Sequence, residues 1–205
     1  MSGVGAFFLA RRLQPLLNSY PNLVVQLVAM PRLFNLTKHE ADLAIVLALP
    51  TQGRLATRKL TDYTLGLYAS ADYLNTAPAI SDANDLKGHR FIDYIDDLIF
   101  TAELDYLDEA ARGVRATFQS SSIIAQMNAA RAGAGLAVLP HFLGTQFDDL
   151  IPVLPAKVSL TRSWWLVVHE SQRDIARVRI VMDFIVGLFH AHRDNFNRSV
   201  ASPPP

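Results

Sequence analysis

Cysteine is absent from this chain of 205 residues. Its absence removes thiol nucleophiles, thiolate metal ligands and disulfide cross-links. It also fits a reducing compartment, so a cytoplasmic location is expected. An excess of either charge is missing as well: nineteen Lys and Arg balance nineteen Asp and Glu. Bulk electrostatics therefore give no case for nucleic acid, which favours a basic face. No apolar stretch reaches the roughly 20 residues that cross a bilayer, so no membrane partner is expected. Met1–Ala10 is apolar, but Arg11 and Arg12 follow it rather than precede it, the reverse of a secretory signal. Half of the residues are hydrophobic and 19% are charged. That composition supplies the core of one large domain or two small lobes and argues against disorder.

Catalytic patterns are scarce too. The six histidines are His39, His89, His141, His169, His190 and His192. Only the last two are close, and an i,i+2 pair does not converge on a helix face. Surface or helix-end positions are expected for the set, with no metal. Asp96-Asp97, Asp105, Asp108-Glu109 and Asp148-Asp149 fall in polar stretches and read as solvated carboxylates. No nucleophile with a base stands out, so neither an enzyme nor a cofactor is expected. Gly133-Ala-Gly135 ends a helix and precedes a strand, the wrong order for a dinucleotide fingerprint. It reads as a helix C-cap.

Against these absences, Ser120–Leu143 is rich in signal. A serine cluster opens a helix, Arg131–Gly135 closes it, and the apolar run Leu136–Leu139 stops at Pro140. The serines either cap the helix or cap it and also hold a small polar ligand on its free N–H groups. Elsewhere, Ala6–Tyr20 reads as an amphipathic helix that Pro15 ends or kinks. Leu23–Val28 and Asp42–Leu49 read as buried strands, Tyr63–Ala69 as a β-rich stretch, and Phe91–Tyr94, Val114–Gln119, Leu150–Leu154 and Trp164–His169 as further strands. Within Trp164-Trp165, one ring is expected in the core and the other toward solvent or a partner. Arg173–His190 is the clearest amphipathic helix. Strands apolar on both faces, alternating with helices, argue for an α/β fold with a parallel sheet.

Several segments, in order along the chain, resemble the effector-binding domain of LysR-type transcriptional regulators. They are Leu16-Leu-Asn-Ser-Tyr-Pro-Asn-Leu23, His39-Glu-Ala-Asp-Leu-Ala-Ile45, Leu55-Ala-Thr-Arg-Lys-Leu60, Tyr68-Ala-Ser70 with Asp72-Tyr-Leu74, Leu86-Lys-Gly-His-Arg-Phe-Ile92, and Ser121 through Pro140. The resemblance implies two Rossmann-like lobes joined by crossing strands, like a type 2 periplasmic binding protein, with the family's first strand missing. It implies residues 1–69 plus 165–205 as one lobe and 70–164 as the other. It further implies a small-molecule effector between the lobes, a homodimer, and DNA contact only through a helix-turn-helix that this chain lacks.

Carried over by position, the resemblance gives candidate effector-binding residues. Ser2 and Gly3 match the loop at the first helix. Met30, Pro31 and Arg32 match the loop after the second strand, where Arg32 either pairs with an anionic effector or is solvated. Tyr94 and Ile95 follow the short strand of the second lobe, and Ser120 and Ser121 open the facing helix. Phe142 adds an apolar wall. Family dimers pack through the first helix and its neighbouring strand against a helix of the other lobe; Phe7, Phe8 and Leu16 suit either that surface or the core. A transporter's solute-binding protein is the alternative on the same fold, and an enzyme on this scaffold is a third reading.

Overall fold

A computed structural model describes residues 3–29, 36 and 40–197. A π-helical turn, Val4–Leu9, and a 3-10 turn, Ala10–Arg12, lead into α1 (Gln14–Ser19). There follow β1 (Leu43–Val46), β2 (Leu55–Ser70), α2 (Ala71–Thr76), β3 (Phe91–Asp93), α3 (Tyr106–Ala110), β4 (Ala116–Gln119) and α4 (Ile123–Arg131). The chain continues through β5 (Leu136–Pro140), α5 (His141–Gly144), β6 (Leu150–Val153), β7 (Leu160–His169), α6 (Ala176–Ala191) and α7 (Arg193–Phe196). It divides into two compact units: Met1–Asp62 with Ser163–Asp194, and Tyr63–Arg162 with Asn195–Pro205. β2 and β7 each begin in one unit and end in the other.

In the first unit the strand order is β1-β7-β2, with β1 antiparallel to β7 and Ile45 opposite Leu166. α6 supplies Phe189, whose ring meets Trp164 edge-on at 5.6 Å and Phe8 at 5.3 Å. Trp164 is buried, while Trp165 is half-buried beneath the Lys59 ammonium at 5.9 Å. The two rings thus alternate across β7 as period two requires. Phe8 and Leu16 lie in the core, and Phe7 is half-buried under the Arg11 guanidinium. The helix expected over Ala6–Tyr20 is broken into three short turns, and Pro15 sits in the first turn of α1, where its missing N–H costs no hydrogen bond.

Two sequence expectations need correction here. Leu23–Val28 is not a strand: among the described residues, Val24 to Ala29 make no backbone hydrogen bond. β-branched composition favours a strand only where a neighbour supplies the ladder. The sheet is also not parallel throughout. β3 pairs parallel with β4 and with β5, whereas β2 runs antiparallel to both β5 and β6. A strand covered on both faces reads the same in either direction, so hydropathy carried no information on this point.

The second unit is closed by tight approaches. Tyr68 on β2 and His141 on α5 are both buried, and the phenol oxygen lies 2.7 Å from the imidazole Nδ1. Gly66 faces the imidazole and Gly144 faces the phenol ring; a Cβ at Gly66 would stand 2.5 Å from His141 Cε1. His89 is likewise buried, with Nδ1 3.1 Å from the Tyr73 hydroxyl. Both histidines sit at helix ends, His141 opening α5 and His89 capping the 3-10 turn Asp85–Gly88, but neither is on the surface, because each has a tyrosine hydroxyl that meets its ring nitrogen inside the core. Gly66→Ala should therefore destabilise the protein by about 1–3 kcal/mol, since the bonded His141 ring has nowhere to go. Urea unfolding checks this; a variant as stable as the parent would show that the ring yields freely.

Candidate functional site

β3 is short, fully buried and held on both sides. Because β4 runs parallel to it, the two strands end together: Asp93 stands opposite Gln119. The next residues stay joined, for the Ser120 N–H donates to the Asp93 carbonyl at 2.9 Å, and Gln119 Nε2 donates to Asp96 Oδ1 at 3.1 Å. α4 begins immediately afterwards. Its N-cap is Ser122, whose hydroxyl accepts the Ala125 N–H at 3.4 Å. The Ser120 hydroxyl accepts the Ser122 N–H at 3.2 Å, and its carbonyl takes Gln126 Nε2 at 2.8 Å. Ser121 is left half-buried, and its hydroxyl has no hydrogen-bond partner among the described residues. The first-turn N–H groups of Ile123 and Ile124 have no intrahelical acceptor.

The far end of α4 is fixed as firmly. Gly133 has φ +78°. Its N–H donates to the Ala130 carbonyl and the Ala134 N–H to that of Ala129, at 3.1 and 3.0 Å. This is a Schellman closure, so the glycines end the helix, as their order along the chain suggested.

Behind the strand ends lies a tyrosine cluster. Tyr94 is buried with its ring edge-on to Tyr106 at 5.8 Å, and the Tyr106 and Tyr63 hydroxyls lie 3.2 Å apart. The Arg162 guanidinium stands 5.6 Å from the Tyr106 ring centre, donates to the Glu103 carbonyl at 2.9 Å and pairs with Glu109 at 2.6 Å. Burial pushes the Tyr106 hydroxyl up to about 12 and Tyr94 well above the ordinary range, so both phenols stay neutral donors. Asp93 is the one buried acid here. Burial pushes its carboxyl up to about 6, against the Tyr94 N–H, which favours the charge, and with added repulsion from Asp105 and Asp96.

The arrangement presents groups suited to binding. It offers hydroxyls, free main-chain N–H groups and one carboxyl close to its titration range. Among the described residues, no three His, Asp or Glu side chains gather where they could hold a metal ion.

The family model of the LysR substrate binding domain matches residues 1–189. The chain belongs to that family. A *Haemophilus influenzae* uncharacterized HTH-type transcriptional regulator is 26% identical over 162 residues, covering 74% of this chain and 54% of the relative. A *Pseudomonas aeruginosa* HTH-type transcriptional repressor is 24% identical over 197 residues, covering 91% of this chain and 61% of the relative. The chain thus spans between about half and two thirds of the curated relatives it matches. Among solved structures, the regulatory domain of *Neisseria meningitidis* CrgA superposes with TM-score 0.80 at 22% identity, over 90% of this chain and 93% of that one. The effector domain of *Pseudomonas aeruginosa* AmpR does so with TM-score 0.71 at 17% identity, over 93% and 92%. These likenesses establish the two-lobed LysR substrate-binding fold.

Within this LysR-family domain the residues singled out from sequence fall into three groups. Tyr94, Ile95, Ser120 and Ser121 are brought to one end of the second unit by the β3–β4 pairing. Phe142 is buried in the same unit, packed edge-on to Tyr63 at 6.5 Å and Phe196 at 5.4 Å. Gly3 is half-buried ahead of the Val4–Leu9 turn in the first unit. Ser2, Met30, Pro31 and Arg32 lie outside the described residues. Sequence reasoning missed Asp93, Tyr106 and Arg162. The signal for Asp93 was an acid ending the apolar Phe91-Ile92 pair, where a solvated loop residue is not expected. Glu109 and Asp149, read as solvated, are exposed and also pair with Arg162 and Arg131.

A carboxyl raised from about 3.8 to about 6 on folding favours the unfolded chain once it ionises. That penalty is absent below its unfolded value, grows as pH rises between the two values, and is complete above the folded one. Asp93→Asn should therefore gain stability over the parent at pH 7.5 relative to pH 4.5, on the order of 1–2 kcal/mol after discounting for partial exposure. Urea titrations of both proteins at the two pH values measure it; an equal difference at both would mean that Asp93 ionises freely.

Proposed function

We propose that this chain is the ligand-sensing domain of a LysR-type transcriptional regulator, with residues 1–69 plus 165–205 and 70–164 as its two lobes. Its effector is a small polar molecule held by the Ser121 hydroxyl and the first-turn N–H groups of α4, beside Tyr94, Ile95 and Ser120. The observation that carries the site is the Ser120 N–H to Asp93 carbonyl bond, which fixes the opening of α4 against the end of β3. Family membership over residues 1–189 supports the sensing role. Output follows from a shift between conformations that bind the effector unequally. The protein acts in the cytoplasm as a homodimer, and DNA contact comes from a helix-turn-helix outside this sequence. Ser2, Gly3, Met30, Pro31, Arg32 and Phe142 complete the proposed effector-binding set.

The test is a calorimetric screen of amino acids, aromatic acids and sugar derivatives against the purified chain. Saturable binding to one of these is expected, weakened about tenfold or more by Ser121→Ala combined with Tyr94→Phe, for two lost hydrogen bonds, at least one of them to a charged or strongly polar group. Phenylalanine keeps the packing of Tyr94 on Tyr106, so the loss reports on hydroxyls and not on folding. Undiminished binding would remove these two positions from the site, and turnover of the bound compound would replace a sensor with an enzyme.

A further inference from the structure

Acids are spread unevenly over the second unit. From Phe91 to Ala111 the chain carries seven Asp and Glu and no Lys, Arg or His, although the whole sequence is neutral. Some of these acids are answered. Glu109 pairs with Arg162, Glu103 accepts the Thr101 hydroxyl, and Asp96 accepts the Gln119 amide. Asp93 is not answered. At 7% exposed it is the one buried acid of the seven, and it makes no ion pair among the described residues. Only the Tyr94 N–H favours its charge, while Asp96 and Asp105, both exposed, oppose it. The cation of the tyrosine cluster, Arg162, is already held by Glu109 and by the Glu103 carbonyl. A carboxylate withdrawn from water without a positive partner is costly, and supplying that partner removes the cost.

This acid stands at the edge where the effector is proposed to bind. The Asp93 carbonyl holds the Ser120 N–H at 2.9 Å, and the Asp96 carboxyl holds the Gln119 amide at 3.1 Å. The acids on either side of Tyr94 are therefore bonded to the two residues that lead into α4. A ligand with only negative charge would be repelled by this group of carboxyls. A metal ion does not fit, because no three acids among the described residues gather closely enough to hold one. An ammonium does fit: it is compact, donates up to three hydrogen bonds and brings the missing positive charge. Resting on the sensing site proposed above, we infer that the effector is an amine, whose ammonium is held by the Asp93 carboxylate while its other polar groups meet the Ser121 hydroxyl and the free N–H groups of α4.

Titration calorimetry of the full chain against the common L-amino acids, glucosamine and tyramine is expected to show saturable binding of at least one. Which of them binds separates amino acids from amino sugars and plain amines. The analogue with a hydroxyl in place of the amine (the 2-hydroxy acid, glucose or tyrosol) should bind about tenfold more weakly or worse, the effect of one charge-assisted hydrogen bond. Asp93→Asn should weaken the amine by a similar factor and leave the hydroxyl analogue within about twofold, with circular dichroism matching the parent. Burial leaves Asp93 partly protonated near pH 6, so binding there should release part of a proton in the parent and not in Asp93→Asn, read from the dependence of the heat on the buffer. A purely structural Asp93 would release none. No binding by any amine, equal binding of amine and hydroxyl analogue, or an Asp93→Asn variant that binds the amine unchanged would each overturn the inference. A neutral or acidic ligand weakened by Ser121→Ala with Tyr94→Phe, with no amine bound, would sink the amine and leave the sensing site standing. An amine weakened by Asp93→Asn but not by that pair would keep the amine and remove the hydroxyls.

Discussion

β3 is three residues long, and the candidate site hangs on it. Phe91, Ile92 and Asp93 are bonded to β4 on one side and β5 on the other, both parallel. Parallel strands send their carboxyl ends the same way, so whatever follows each of them emerges at one edge of the second unit. Asp93 thereby stands beside Gln119, Ser120 bonds back to the Asp93 carbonyl, and α4 starts where those bonds end. Had β4 run antiparallel, Ser120 and Tyr94 would leave from opposite edges. The direction of one short strand pair thus determines whether the serines and the tyrosine can share a ligand at all.

That same register forces a cost. It holds a carboxyl at a buried position with little more than the Tyr94 N–H to favour its charge. Neighbouring phenols offer weak compensation, because Tyr106 and Tyr63 already face each other at 3.2 Å. Arg162 is engaged by Glu109 and by the Glu103 carbonyl. A carboxyl left in this condition responds to whatever arrives: a donor set against it favours the anion and lowers its pKa again, and an apolar group does the reverse. Asp93 is therefore the part of this edge whose protonation an occupant would change most.

Much of this could be read from residue order. The serines that open α4 and the glycines that close it are local signals, since a cap needs only its own turn. The Schellman pair at Gly133 and Ala134 follows from them directly. Strand positions around Phe91, Val114, Leu136, Leu150 and Trp164 were legible for the same reason: an apolar run bounded by turn residues is a local pattern. Direction and burial of polar groups were not. His141 looks like a surface residue in sequence because nothing near it in the chain tells that Tyr68 lies 73 positions away with its hydroxyl against the imidazole. Long-range partners decide such cases.

Two apolar runs show what else a sequence leaves out. Leu136–Pro140 and Leu23–Val28 have nearly the same character, short, uncharged and rich in valine and leucine. The first is buried at every position, with β2 and β3 bonded to it on its two sides. The second forms no ladder among the described residues and exposes two of its valines. Neither run carries a charge, so charge is not what separates them; the difference is the supply of neighbouring main chain. A strand is a property of at least two segments, and hydropathy reads one at a time. An uncharged run without neighbours keeps its amides and carbonyls in water, at the expense of leaving its side chains there too. Any segment that satisfied the first would also cover the second, so main-chain pairing and side-chain burial arrive together.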